Sequence, residues 1–178
     1  MINRQPTLTG DLLHLRPLAP DDYPALLAVA ADPEIWSLHP AHDRWREPVF
    51  RRFFDDAIAG GGALAVIDRA TAKMIGSTRY GPHESDRERI EIGWTFLARS
   101  HWGSPVNREM KRLMLAHILP EVPTVIFTVG EHNVRSRRAL ENIGATLTDE
   151  VQHRPAAGRD VAHLVYTIMR VPERQSVG

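Results

Sequence analysis

Between Leu12 and Leu18 apolar and polar residues alternate around His14 and Arg16, a period of two that predicts a strand. Pro20, Asp21 and Asp22 then open a helix expected to run through Ala31, with acidic charge in its first turn and Leu26, Leu27, Val29 and Ala30 as its apolar face. Asp32 to Arg46 is proline-rich and follows no period. Glu47 to Ala59 returns to helical spacing, with Val49, Phe50, Phe53, Phe54, Ala57 and Ile58 on one side, and Gly60-Gly61-Gly62 stops it. Ala63 to Asp68 and Lys73 to Tyr80 read as a hairpin about a turn at 68–72. Arg89 to Leu97 alternates Ile90, Ile92, Trp94 and Phe96 against Glu91, Gly93 and Thr95. A helix is predicted from Ser104 to about Leu119, a short strand at Thr124 to Val129, and a helix at Arg135 to Ile143 closed by Gly144. Two last strands, near Leu147 to Gln152 and Val161 to Arg170, are joined by a turn at Pro155 to Gly158. This order predicts an α+β fold with one mixed sheet, in a single domain spanning residues 1–178.

Composition narrows the function classes. The 178 residues suffice to bury a core without disulfides or metals. With 22 basic and 22 acidic residues the formal charge is zero, so no general field draws the chain to nucleic acid or membrane, and neither is expected as a partner. Cysteine is absent, which excludes thiol nucleophiles, thiolate zinc sites and disulfide frameworks. The N-terminal residues carry no secretory pattern, and a cytoplasmic location is the expectation.

The chemistry gathers at two strand-to-helix junctions. In the first, Phe96 to Asn107, Ser104 can cap the following helix through its hydroxyl, Pro105 suits the first helical position, and Gly103 lets the backbone approach a ligand. The free N–H groups of such a helix start favour an anion, and a diphosphate fits. In the second, Asn133-Val134-Arg135-Ser136 follows the strand at Thr124 to Val129 and leads through a short helix to Gly144-Ala145.

These two motifs, in this order of elements from about Leu8 to Met169, resemble the GCN5-related N-acetyltransferase family, in the branch that includes the ribosomal-protein N-terminal acetyltransferases. The Asn133/Ser136 pair, the Gly144-Ala145 close, and Trp102-Gly103 followed by Glu109 carry the resemblance. It implies a sheet that splays between the strands at Arg89–Leu97 and Thr124–Val129, with helices on both faces. It also implies acetyl-CoA as co-substrate, its pantetheine arm bonding backbone groups near Thr95 and Leu97. The pyrophosphate would lie on the N–H groups from Trp102 through Gly103, Ser104, Val106 and Asn107 to Arg108. Asn133 would hold the arm, Ser136 would lie near the sulfur, and Arg99, Arg108, Arg135 and Arg138 are candidates for the ribose phosphate. The chain departs from the family pattern where Trp102, Pro105 and Asn107 occupy the loop's Gln/Arg, Gly and Gly/Ala positions, Pro105 removing an N–H donor, and where Leu140 stands in place of a proton-donating tyrosine carried by many relatives.

Amine acetylation needs a base, and Glu91, on the polar phase of the strand beside the acyl site, is the leading choice, with Glu84 and His83 behind it. His39-Pro40-Ala41-His42 lacks further ligands at metal spacing, so no metal is expected. Ser136 has no Gly-x-Ser-x-Gly elbow for hydrolase chemistry. Trp36, His39 and Trp45 fall where an acceptor pocket would be built. The expected activity is acetyl transfer from acetyl-CoA to a primary amine. The competing expectation, prompted by Pro105 and Leu140, is a non-catalytic acyl-CoA-binding or interaction module.

Overall fold

The computed structural model describes residues 2–171. Eight strands form one sheet in the order β1-β2-β3-β4-β5-β6-β8-β7. They are β1 (Leu8–Thr9), β2 (Leu13–Pro17), β3 (Ala63–Asp68), β4 (Met74–Glu84), β5 (Arg89–Leu97), β6 (Thr124–Gly130), β7 (Thr146–Ala156) and β8 (Arg159–Met169). The helices are α1 (Tyr23–Ala30), α2 (Glu47–Gly60), α3 (Val106–Ile118) and α4 (Val134–Glu141). The β5–β6 pairing is parallel and the other described pairings are antiparallel.

Each face of the sheet has its own core. Strand residues Leu13, Leu15, Leu64, Ile90, Ile92, Val125 and Phe127 meet Met110, Met114 and Ile118 of α3 on one face. On the other, Leu26 of α1 and Phe50 and Phe54 of α2 pack with Trp36, Ala65 and Phe96. Fully burying one such side chain contributes about 1.5–3 kcal/mol, so the two helix layers hold the sheet from both sides. The fold is the expected α+β arrangement.

Several boundaries differ from those the sequence predicts. Pro20–Asp22 form a 3-10 turn and α1 begins only at Tyr23. In α3 the first helical residue is Val106, so Pro105 is the N-cap rather than the first helical position. Ser104 still caps, one position early: its hydroxyl accepts from Val106 N at 3.4 Å and donates to His101 O at 2.7 Å. Strand β4 runs on to Glu84, which takes His83 and Glu84 out of a loop and pairs them with Ile90 and Arg89.

The irregular segment after α1 is held against the sheet. The Trp36 indole donates to Ala30 O at 2.8 Å. A Cβ on Gly130 would come within 2.4 Å of Pro40 Cγ, so only glycine at the end of β6 lets this segment approach. Among the described residues no helix is long and apolar enough to cross a membrane.

Candidate active site

Register places the site. Strands β5 and β6 pair only through Arg89–Thr124, Ile90–Val125 and Glu91–Ile126, and beyond that point they separate. The rest of β5, from Ile92 to Leu97, keeps β4 as a neighbour but presents its other edge to a cavity of about 380 Å³. Unpaired strand groups facing a cavity need water or a ligand.

Between Arg79–Gly93 and Ser77–Phe96 the β4–β5 register shifts, with Trp94 and Thr95 both opposite Thr78. Trp94 has φ +50°, a left-handed conformation costing a non-glycine residue about 1–2 kcal/mol. Such a bulge bends its strand and re-aims the backbone groups beside it. Here it does so at the mouth of the split, and alternation alone does not reveal it.

At the open end lies the start of α3. The first i→i−4 bond of the helix runs from Glu109 N to Pro105 O at 3.0 Å, so the N–H groups of Asn107 and Arg108 come before the ladder begins. Gly103 has φ +71° and nothing within 4 Å of where a Cβ would sit, which leaves its surroundings open to a ligand. Gly103, Ser104 and Asn107 line the cavity. Val106 turns into the core with its N–H donating to Ser104 Oγ, and Arg108, whose side chain is exposed, adds a free backbone N–H. Trp102 lines the wall, and its indole donates to Leu97 O at 3.1 Å. That bond engages one lone pair of the Leu97 carbonyl, and the stretch around Thr95 keeps a free edge toward the cavity.

Across the split, Asn133 is buried and caps α4 by accepting from Ser136 N at 3.2 Å, which leaves its amide nitrogen for a ligand. Ser136 and Leu140 line the same wall. Among the arginines the sequence offers for a phosphate, Arg135 stacks over Trp102 at 3.9 Å and donates to Ile35 O, while Arg99 pairs with Asp32 at 3.0 Å. Arg108 and Arg138 are exposed.

Glu91 lines the cavity and is only 8% exposed. Both its oxygens accept from Arg154 of β7, at 2.8 and 3.2 Å, in a two-pronged ion pair. Near the closed end of the split Arg89 pairs with Glu150 of β7 at 2.6 Å. These two pairs tie β7, three places away in the sheet, back to β5, and the β7–β8 hairpin brings Pro155 and Ala156 to the cavity. His83 is exposed and Glu84 is engaged by Arg89 at 2.8 Å; neither lines the cavity. Trp45 also lies outside it, whereas Trp36 and His39 line it as expected.

Three titratable groups line the cavity, of which His39 is offered by the sequence while His163 and Lys111 have no signature in its pattern. His163 of β8, 8% exposed, donates from Nδ1 to Val161 O at 2.8 Å, and burial keeps its imidazole neutral, so Nε2 carries a free lone pair. His39 is the reverse tautomer: its Nδ1 accepts from Ala41 N at 2.9 Å, and burial lowers its pKa to about 3, leaving Nε2–H as a donor. Lys111 of α3, 4% exposed, donates to Thr95 Oγ1 at 2.8 Å, and desolvation lowers it to about 7. Glu109, by contrast, serves the fold. Its carboxylate accepts from the backbone N–H groups of Asp11, Leu12 and Leu13 at 2.8, 2.9 and 3.1 Å and fixes the turn between β1 and β2.

A split parallel pair, a bulged strand edge and a helix start with free N–H groups converge on one cavity. The chain belongs to the GNAT acetyltransferases: the family model described as an acetyltransferase (GNAT) domain matches residues 13–146. No curated protein matches it in sequence. Among solved structures it is similar to a GCN5-related N-acetyltransferase from Brucella melitensis, with TM-score 0.80 and 20% identity over 93% of this chain and 79% of that one. An acetyltransferase from Agrobacterium tumefaciens is 26% identical, with TM-score 0.64, over 93% and 95% of the two chains. A spermidine N-acetyltransferase from Vibrio cholerae, solved in complex with CoA and spermine, shares the fold at TM-score 0.66 and 17% identity, over 90% and 96%.

Proposed function

We propose that this protein transfers the acetyl group of acetyl-CoA to a primary amine, a protein N-terminus or a small-molecule amine, by direct attack on the thioester. The observation that carries this reading is the separation of β5 from β6 beyond Glu91 and Ile126. The free edge around Thr95 suits a pantetheine arm added like a strand, with the Asn133 amide opposite it and the N–H groups of Asn107 and Arg108 suited to the diphosphate. Backbone groups re-aimed by the Trp94 bulge would polarise the thioester carbonyl.

The attacking amine must lose a proton. His163 Nε2 is the open acceptor in the cavity, and Glu91 favours the imidazolium that forms. This assigns Glu91, whose oxygens Arg154 already engages, a supporting charge rather than the proton itself. Leu140 offers no proton to the departing thiolate, and Ser136 is the hydroxyl on that wall.

The test combines binding and turnover. CoA should raise the melting temperature, because it binds the folded state alone, and an unchanged melt in millimolar CoA would sink the proposal. Thiol release over an amine panel should fall about 10²–10⁴-fold in His163→Gln, and wild-type turnover in that variant would remove His163 from the chemistry. The second reading, an acyl-CoA-binding module, is favoured by Leu140 in the tyrosine's place. A protein stabilised by CoA that releases no thiol with any amine of the panel would establish it.

A further inference from the structure

A second cavity of about 410 Å³ adjoins the first and shares Arg44, Trp94, Pro155 and Ala156 with it. Phe53 of α2 stands between two cations there. The Arg44 guanidinium lies 4.4 Å from the centre of its ring and that of Arg79, on β4, lies 5.4 Å from it. Arg44 also faces Trp36 at 5.2 Å, and Arg79 faces Trp94 at 5.0 Å.

Neither guanidinium has an acid to hold. Among the described residues neither forms an ion pair within 4 Å, the Arg44 side chain makes no hydrogen bond, and the Arg79 guanidinium has one long contact to Phe53 O at 3.4 Å. Arg79 Nε is buried without a partner. Asp43 and Asp56 line the same cavity, near Arg44 and Arg79 respectively, and Arg52 adds a third cation. Burial and mutual repulsion lower Arg44 to about 10, and burial lowers Arg79 to about 10.

Two like charges brought to one aromatic ring, half-buried and with an N–H left unbonded, are costly in the empty site. Stacking on Phe53, Trp36 and Trp94 offsets part of that cost and holds both forks in place. An anion entering the cavity would offset both charges at once, through the two-pronged geometry that guanidinium groups offer carboxylates and phosphates.

We propose that the acetyl acceptor is an amine that also carries a carboxylate or phosphate, held by Arg44 and Arg79 beyond Trp94 while its amino group reaches His163 and Glu91. This rests on the reading of the site as an acetyltransferase and adds its substrate class. The anion defines recognition, and the amine defines reaction.

The test uses acceptor pairs differing only in the anion, titrated calorimetrically into the full-length protein with and without CoA. γ-Aminobutyrate against butylamine, 6-aminohexanoate against hexylamine and phenylalanine against phenylethylamine vary the spacing to a carboxylate. O-Phosphoethanolamine against ethanolamine supplies the phosphate arm and separates the two sources of charge. In at least one pair the anionic member should bind about tenfold or more tightly, the scale of one charge-assisted hydrogen bond. Arg79→Gln should bring that ratio close to one, with folding checked by its melt. Asp56→Asn, which keeps both arginines and removes a nearby negative charge, should raise it. Neutral twins that bind as well at every spacing, or a preference that survives Arg79→Gln and ignores Asp56→Asn, would overturn the proposal. CoA affinity is measured separately: its absence would count against the acetyltransferase reading, while anion selectivity is still read from titrations without CoA.

Discussion

Lys111 makes this protein's stability depend on pH in a window where few other groups titrate. Its ammonium is buried with Thr95 Oγ1 as its hydrogen-bond partner and the Phe127 ring 5.6 Å away, and desolvation lowers its pKa from 10.5 to about 7. The folded state therefore releases this proton near pH 7, while the unfolded chain keeps it until about pH 10.5. Across that interval the unfolded state binds more protons, so stability rises with pH. The shift corresponds to a cost of about 4 kcal/mol at pH 7, falling to about 1 kcal/mol by pH 9.5, a gain of about 3 kcal/mol. His39 and His163, both lowered by burial, act below pH 6.5, and Tyr23 and Tyr80, both raised by burial, act above pH 10. Urea unfolding followed by tryptophan fluorescence from pH 7 to 9.5, at constant ionic strength, reads the slope. Lys111→Met keeps most of the volume and removes the charge. It should flatten the curve and be up to about 4 kcal/mol more stable at pH 7. A wild-type curve that is flat across this window, or a slope that persists in Lys111→Met, would refute the reasoning.

Glu109→Ala strips three backbone N–H groups of their acceptor and should cost about 2–4 kcal/mol, with faster amide exchange at Asp11 to Leu13 and unchanged CoA affinity. Protected amides in that variant would deny the clamp. Gly103→Val forces a β-branched residue to φ +71°, costing about 1–2 kcal/mol of stability, and should weaken CoA by about tenfold or more in calorimetry. Equal CoA affinity in the two proteins would place the diphosphate elsewhere. In Glu91→Gln the loss of a carboxylate that favours the His163 imidazolium should move the acid limb of the kcat/KM profile to lower pH. An unmoved limb would separate Glu91 from the proton transfer.

The sequence by itself determined the order of elements and the two capped junctions, because alternation, helical spacing and capping chemistry act within a few residues of one another. Arg89 to Leu97 alternates because it is a strand between two cores, and Asn133 caps its helix from three residues away. A family pattern could therefore be recognised in the chain, and Thr95, Gly103, Asn133 and Ser136 do meet in one cavity. The tertiary structure decided what those residues touch. Arg154 engages Glu91 from 63 positions away, and Glu109 belongs to the β1–β2 turn some 96–98 positions upstream. Lys111 and His163 occupy positions on a helix and a strand that read locally as ordinary polar residues. Their titration comes from burial, which depends on the strands and helices that close over them. The bulge at Trp94 comes from a register between β4 and β5 that neither strand specifies alone, and Arg44 and Arg79 share a ring supplied by a third element. Local pattern encodes which elements form, whereas desolvation and long-range pairing, which create this site's chemistry, exist only once those elements have packed.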